Sequence, residues 1–71
     1  MTKTEVARLL HAYMTFRAAR EGVDHTLPVS FYRKQLDAGI CVFFGVIVGP
    51  DGLILDKQQP EMFAEWAATK H

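Results

Sequence analysis

One cysteine, Cys41, is all the chain has, so no disulfide can staple its 71 residues together. Set in an apolar run, that lone thiol reads as a small buried hydrophobe in a reducing compartment. Zinc is excluded on similar grounds. His11, His25 and His71 lie far apart and share no ligand spacing with one another or with Cys41, so no metal or other cofactor is expected. Charge of one sign is also lacking. Eight basic side chains balance eight acidic ones, which argues against a generic polyanion binder. The longest apolar run is nine residues and is interrupted by Gly45, far short of a membrane span. The opening residues carry no basic-then-apolar leader, and the resulting expectation is a soluble, cytoplasmic protein.

Serine is as scarce as cysteine. Ser30 stands alone and reads better as a helix cap than as a nucleophile, and Cys41 has no basic neighbour in sequence to activate it. Glu61 and Glu65 sit one helical turn apart, where dipole compensation explains them more simply than acid–base catalysis. Gly45, Gly49 and Gly52 lack the lysine and helix start of a phosphate loop. No catalytic residue is assigned, and the expectation is a non-enzymatic protein.

What is present is a surplus of apolar surface on a short chain. A 71-residue domain buries only about 60% of the surface its unfolded form exposes, so its core is marginal unless association adds to it. Thr2 and Glu5 form a capping box for a first helix ending near Glu21, with Gly22 as its left-handed terminator. Val6, Leu9, Leu10, Tyr13, Met14 and Phe16 make its apolar stripe, opposite Arg8, His11, Thr15 and Ala19. Arg17 and Arg20 continue that stripe where apolar residues belong. Either their stems cover apolar surface while the guanidinium groups reach water, or they form a basic pair aimed at an anionic partner.

Val23 to Leu27 reads as a connection with His25 solvated. Residues 27–33 suit a strand or a helix, and the Ser30 cap with the stop signal Asp37-Ala38-Gly39 favours a short helix. The stretch Ile40–Leu55 then reads as one hairpin, strands about 40–48 and 53–56, turned at Gly49-Pro50-Asp51-Gly52. That register pairs Gly49 with Leu53, Val48 with Ile54 and Ile47 with Leu55. It puts Ile40, Val42, Phe44, Val46, Val48 and Ile54 on one face, and Cys41, Phe43, Ile47, Leu53 and Leu55 on the other. Both faces are apolar, unlike a hairpin with one wet side. A last helix starts at Pro60, buries Met62, Phe63, Trp66 and Ala67, and carries Lys70 at its negative end. The order α-α-β-β-α places the single domain, residues 1–71, in the α+β class.

The string GVIVGPDGLIL resembles the hairpin near the catalytic histidine of HtrA-type trypsin-like proteases, but no His-Asp-Ser set accompanies it. The order helix, turn, short helix bearing Arg33 and Lys34, then hairpin resembles part of a winged helix-turn-helix. That resemblance implies DNA binding, with Arg33, Lys34 and Gln35 as the reading residues. Two departures disfavour nucleic acid. The wing has no Lys or Arg between Ile40 and Asp56 and carries Asp51 at its tip, which would face phosphate, and the usual additional helix before the turn is missing.

The leading expectation is therefore a protein-interaction module, an inhibitor, adaptor or regulator of a larger protein, acting as a homodimer. Helices one and three are expected to cover the face bearing Val42, Phe44 and Val46. The dimer interface then falls on Cys41, Phe43, Ile47, Leu53 and Leu55. Tyr13, Arg17, Arg20, Tyr32, Phe43 and Trp66 are of the residue types that anchor partners. A small-ligand site near Tyr13, Arg17 and Arg20 is the remaining alternative.

Overall fold

The structure is a computed structural model that describes residues 1–69; Lys70 and His71, and with them the expected helix-end lysine, lie outside the described residues. Three helices, α1 (Lys3–Glu21), α2 (Val29–Asp37) and α3 (Pro60–Ala68), pack on a three-stranded antiparallel sheet. Its strands are β1 (Val42–Phe43), β2 (Val46–Gly49) and β3 (Gly52–Asp56), in spatial order β1-β2-β3. The α+β class holds, with the order α-α-β-β-β-α in place of α-α-β-β-α.

The extra strand comes from a turn hidden in the apolar run. Phe44 (φ 52°) and Gly45 (φ 88°) form a two-residue loop between Phe43 and Val46, which pair directly. Positive φ at both central residues is the type I′ geometry that matches strand twist. Gly45 is obligatory there for a second reason, since a Cβ would lie 2.5 Å from Cγ of Gln58. Ile40–Val48 is thus not one strand but a lead-in, a two-residue strand and a return.

The second turn also shifts the register. Gly49 pairs with Gly52, and Val48 with Leu53. The shift between Ile47 and Val48 leaves Ile54 as a bulge, after which Ile47 pairs with Leu55 as expected. Gly52 sits at φ 129°, backbone that suits glycine alone. These two irregularities re-sort the side chains. Phe43, Val46, Val48 and Asp56 point inward and are buried, whereas Val42, Ile54 and Leu55 are exposed and Ile47 is half-buried.

The helices cover the inner face. α1 starts at the expected capping box, Glu5 N–H to Thr2 Oγ1 at 3.1 Å and Thr2 N–H to Glu5 Oε1 at 2.9 Å, and ends at Gly22 with φ 73°. Its buried stripe is Val6, Ala7, Leu10, Tyr13, Met14, Arg17 and Ala18, with Leu9 and Phe16 only partly covered. α2 starts at Val29 with Pro28 as its cap residue, so Ser30 lies inside the helix and caps nothing. Its Tyr32 ring meets Phe43 edge-on at 5.8 Å, which ties α2 to β1. Phe63 and Trp66 of α3 each meet Tyr13 edge-on at 5.3 Å; Met62 is half-buried and Ala67 is exposed.

Candidate functional site

The polar centre of the molecule is built on Arg17, the residue that broke the apolar stripe of α1. Its Nη1 donates to Asp56 Oδ2 at 3.1 Å and to the Phe44 carbonyl at 2.8 Å. Nη2 donates to Gln58 Oε1 at 2.7 Å and Nε to Glu21 Oε1 at 2.8 Å. Asp56 has no solvent exposure. Its Oδ2 also accepts from Tyr13 Oη at 2.6 Å, and its Oδ1 accepts the backbone N–H groups of Gln58 and Gln59 at 2.9 and 3.1 Å. One carboxylate therefore joins α1, β3 and the start of α3. Burial, together with the hydrogen bond to Asp56, pushes the Tyr13 phenol well above its ordinary value. Among the described residues every buried side-chain N or O atom has a partner, as a buried ionic network requires.

This network also holds Phe44. A non-glycine residue in the left-handed region costs about 1–2 kcal/mol. The Arg17 bond to the Phe44 carbonyl, with Lys57 N–H on the Gly45 carbonyl at 2.9 Å, fixes the turn in that geometry. Phe44 itself stays 52% exposed.

A second polar chain links α1, the loop 23–28 and α2. Thr15 donates its hydroxyl hydrogen to the His11 carbonyl at 2.8 Å, so Thr15 Oγ1 must accept from His25 Nδ1–H, also at 2.8 Å. That leaves His25 Nε2 to accept from the buried Tyr32 hydroxyl at 2.7 Å. The His11 ring lies against His25 with centroids 4.9 Å apart. Burial first, and the neighbouring His11 second, lower the His25 pKa; burial raises that of Tyr32 to about 12. His25 is thus a pinned residue, not a solvated one.

Between these two chains lies a cleft of about 300 Å³, walled by Met14, Leu27 and Phe44 and rimmed by Arg17, Glu21 and Asp24. A second, more apolar cleft of about 380 Å³ lies among Val6, Leu36, Cys41, Val48 and Pro50. Among the described residues no cluster of three or more His, Cys, Asp or Glu side chains could hold a metal, and no helix is long and apolar enough to cross a membrane.

The residues singled out from sequence divide sharply. Tyr13, Arg17, Tyr32 and Trp66 are buried and serve the core, not an open surface. Each carries the polar handle that large core residues need, so type alone did not distinguish anchor from core. Arg20 is exposed, paired bidentately with Glu65 and stacked 4.7 Å from the Phe16 ring centroid. Glu65 is thereby a surface ion-pair partner. Of the expected dimer face, Phe43 is buried and Leu53 half-buried, whereas Ile47, Leu55 and Cys41 lie at or near the surface. Cys41 is exposed because it precedes β1 and is not inside a strand. Arg33 is bound to Asp37 at 2.7 Å and to Thr4 at 3.2 Å, Lys34 is exposed and Gln35 half-buried.

Val42, Ile47 and Leu55 pair across all three strands and form one apolar row on the outer face of the sheet, with Ile54 bulging beside them. Sequence reasoning missed Val42 and Ile54, because the turn at Phe44-Gly45 and the bulge each change the parity of the strand. It also missed Asp56, although an arginine on an apolar stripe signals a buried acid elsewhere. Comparison with protein-family models, with curated proteins and with solved structures gives no match to this chain.

Proposed function

We propose that the protein is a small, non-enzymatic interaction module that works by docking, as a homodimer joined through the outer face of its sheet. The observation that supports this is the row Val42–Ile47–Leu55 with Ile54, exposed except for the half-buried Ile47, on the side of the sheet away from the helices. Scattered surface hydrophobes are ordinary, but a row crossing every strand is a contiguous patch. No charged side chain interrupts it, since between residues 40 and 56 the only charges are Asp51 at the far turn and the buried Asp56. An uncharged face meets its own copy across a two-fold axis without like-charge repulsion.

Size points the same way. A standard interface takes about 800 Å² from each partner, roughly a sixth of the 4560 Å² surface of this chain. The row would form the apolar centre of such an interface, with flanking residues as its rim. The area gained is also what a 71-residue chain lacks for a robust core. An exposed, lone Cys41 fits a compartment that keeps thiols reduced, which supports a cytoplasmic setting.

Light scattering during gel filtration at micromolar protein tests the proposal. The expected mass is about twice the 8.0 kDa of one chain, falling to a single chain in Ile54→Glu with helical content unchanged. A wild-type mass of one chain overturns the dimer.

A further inference from the structure

Phe44 is a residue that neither its turn nor the core requires. The type I′ turn favours Asn-Gly or Asp-Gly, which adopt positive φ more readily than phenylalanine does. The core does not bury Phe44 either, since the residue is 52% exposed. The molecule nevertheless holds this residue rigidly, with the buried Arg17 bound to its carbonyl. A locally unfavourable choice that the surroundings over-determine marks a place whose use lies outside the fold. Phe44 lines the 300 Å³ cleft and has no partner in the strand pairing that carries the outer row.

The charge around that cleft selects its occupant. Arg17, the only cation lining it among the described residues, is matched by Asp56 and by one oxygen of Glu21, and Asp24 adds a further carboxylate at the rim. Within the lining one guanidinium thus meets two carboxylates, Glu21 and Asp24, and Asp56 already matches it from the buried side. The C-terminal end of α1, at Glu21 and Gly22, contributes further negative potential. His25, on the opposite wall, is neutral with both ring nitrogens engaged. Met14, Ala18 and Leu27 supply apolar walls, and the exposed Phe44 face offers a cation–π surface. Apolar walls, an aromatic lip and surplus negative charge suit a cation carried on an aliphatic stem.

We infer that this cleft is a second docking site, separate from the sheet face, which receives a lysine or arginine side chain from an exposed segment of a partner protein. Phe44 is the aromatic lip against which the cation lies. Glu21 and Asp24 supply its counter-charge, and the stem lies along Met14 and Leu27.

The test is a titration of ¹⁵N-labelled protein, followed by NMR, with an end-blocked Leu-Lys-Leu peptide and its Leu-Gln-Leu counterpart. Running it also in the Ile54→Glu background keeps it independent of the dimer. The lysine peptide should give saturable shifts at Phe44 and in residues 21–27, with affinity at least tenfold above the glutamine peptide and falling with added salt. Phe44→Asn, which suits the turn, should keep the melting temperature at or above wild type and abolish those shifts. Asp24→Asn, an exposed loop substitution, should weaken binding several-fold without touching the Arg17 network. No saturable shift at millimolar peptide, equal affinity for both peptides, or full binding by Phe44→Asn or Asp24→Asn each overturns the inference.

Discussion

The two faces of this sheet carry their polarity the opposite way round from an ordinary sheet with one wet side. The inner row across the strands is Phe43, Val46 and Asp56, and it ends in a fully buried charge. The outer row is Val42, Ile47 and Leu55, without a polar atom beyond the backbone. Inside, the charge is tolerated because Tyr13, Arg17 and two backbone N–H groups saturate the carboxylate. Outside, Val42 and Leu55 stay exposed among the described residues and Ile47 between them is half-buried. The inner face is satisfied within the single chain and the outer row stays open to solvent, so the same set of strands separates what folds the chain from the surface proposed for association.

The largest effect should follow from breaking the inner face at its charge. Asp56→Ala strands the Arg17 guanidinium and the Tyr13 hydroxyl in the core and removes the acceptor that joins β3 to α3. Removing one partner of a buried ion pair costs about 3–5 kcal/mol. Domains of this size have little more than that in total stability. Urea denaturation should find the variant largely unfolded in buffer. If Asp56→Ala melted within a few degrees of wild type, the inner row would not be what organises the fold.

A matched pair of substitutions sharpens the comparison. Val46→Thr places a hydroxyl at a position with no exposure and should cost about 1–3 kcal/mol at any protein concentration. Val42→Thr, one strand away at 54% exposure, should leave the stability of an isolated chain within about 0.5 kcal/mol. Its effect should appear in association, as a weaker dependence of melting temperature on protein concentration. Equal behaviour of the two variants would erase the distinction between the faces.

Much of this architecture was legible because local signals agreed with the global fold. The capping box at Thr2 and Glu5, the terminator Gly22 and the initiating Pro60 each mark a helix end that the structure keeps. The sheet was harder for a physical reason. Strand alternation has period two, so a single unnoticed turn or bulge exchanges the faces for every residue beyond it. Phe44-Gly45 hides inside an apolar run because phenylalanine is not a turn residue, and the bulge at Ile54 has no signature of its own. The apolar surplus could therefore be anticipated, but only two strand members of its expected face, Ile47 and Leu55, lie on the outer row. Of the cleft only Arg17 was anticipated, in the small-ligand site expected near Tyr13, Arg17 and Arg20; the rest was not legible, since it brings together α1, the loop 23–28, the first turn of the sheet and Gln58.

The smallest expected effect concerns the edge of the inner layer, where His25 fastens the loop 23–28 to α1 and α2. In the folded chain neutral His25 donates from Nδ1 to Thr15 and accepts at Nε2 from Tyr32. Protonation would place a second donor opposite the Tyr32 hydroxyl, in a site where burial and His11 already disfavour positive charge. The folded-state pKa of His25 therefore lies below the ordinary 6.5 that it regains on unfolding. The unfolded chain takes up the proton first as pH falls. The stabilisation is full above about pH 6.5, declines below it, and is lost once pH passes the lowered folded value. One proton limits the slope to about 1.4 kcal/mol per pH unit. Thermal melts between pH 7.5 and 4.5 should show this acid sensitivity, and His25→Gln should flatten it in that range. Because the inner sheet face contains no histidine, Val46→Thr should shift the whole profile without changing its shape. A wild-type profile unchanged by His25→Gln would mean that the loop is held by its apolar residue Leu27 and not by the hydrogen-bond chain.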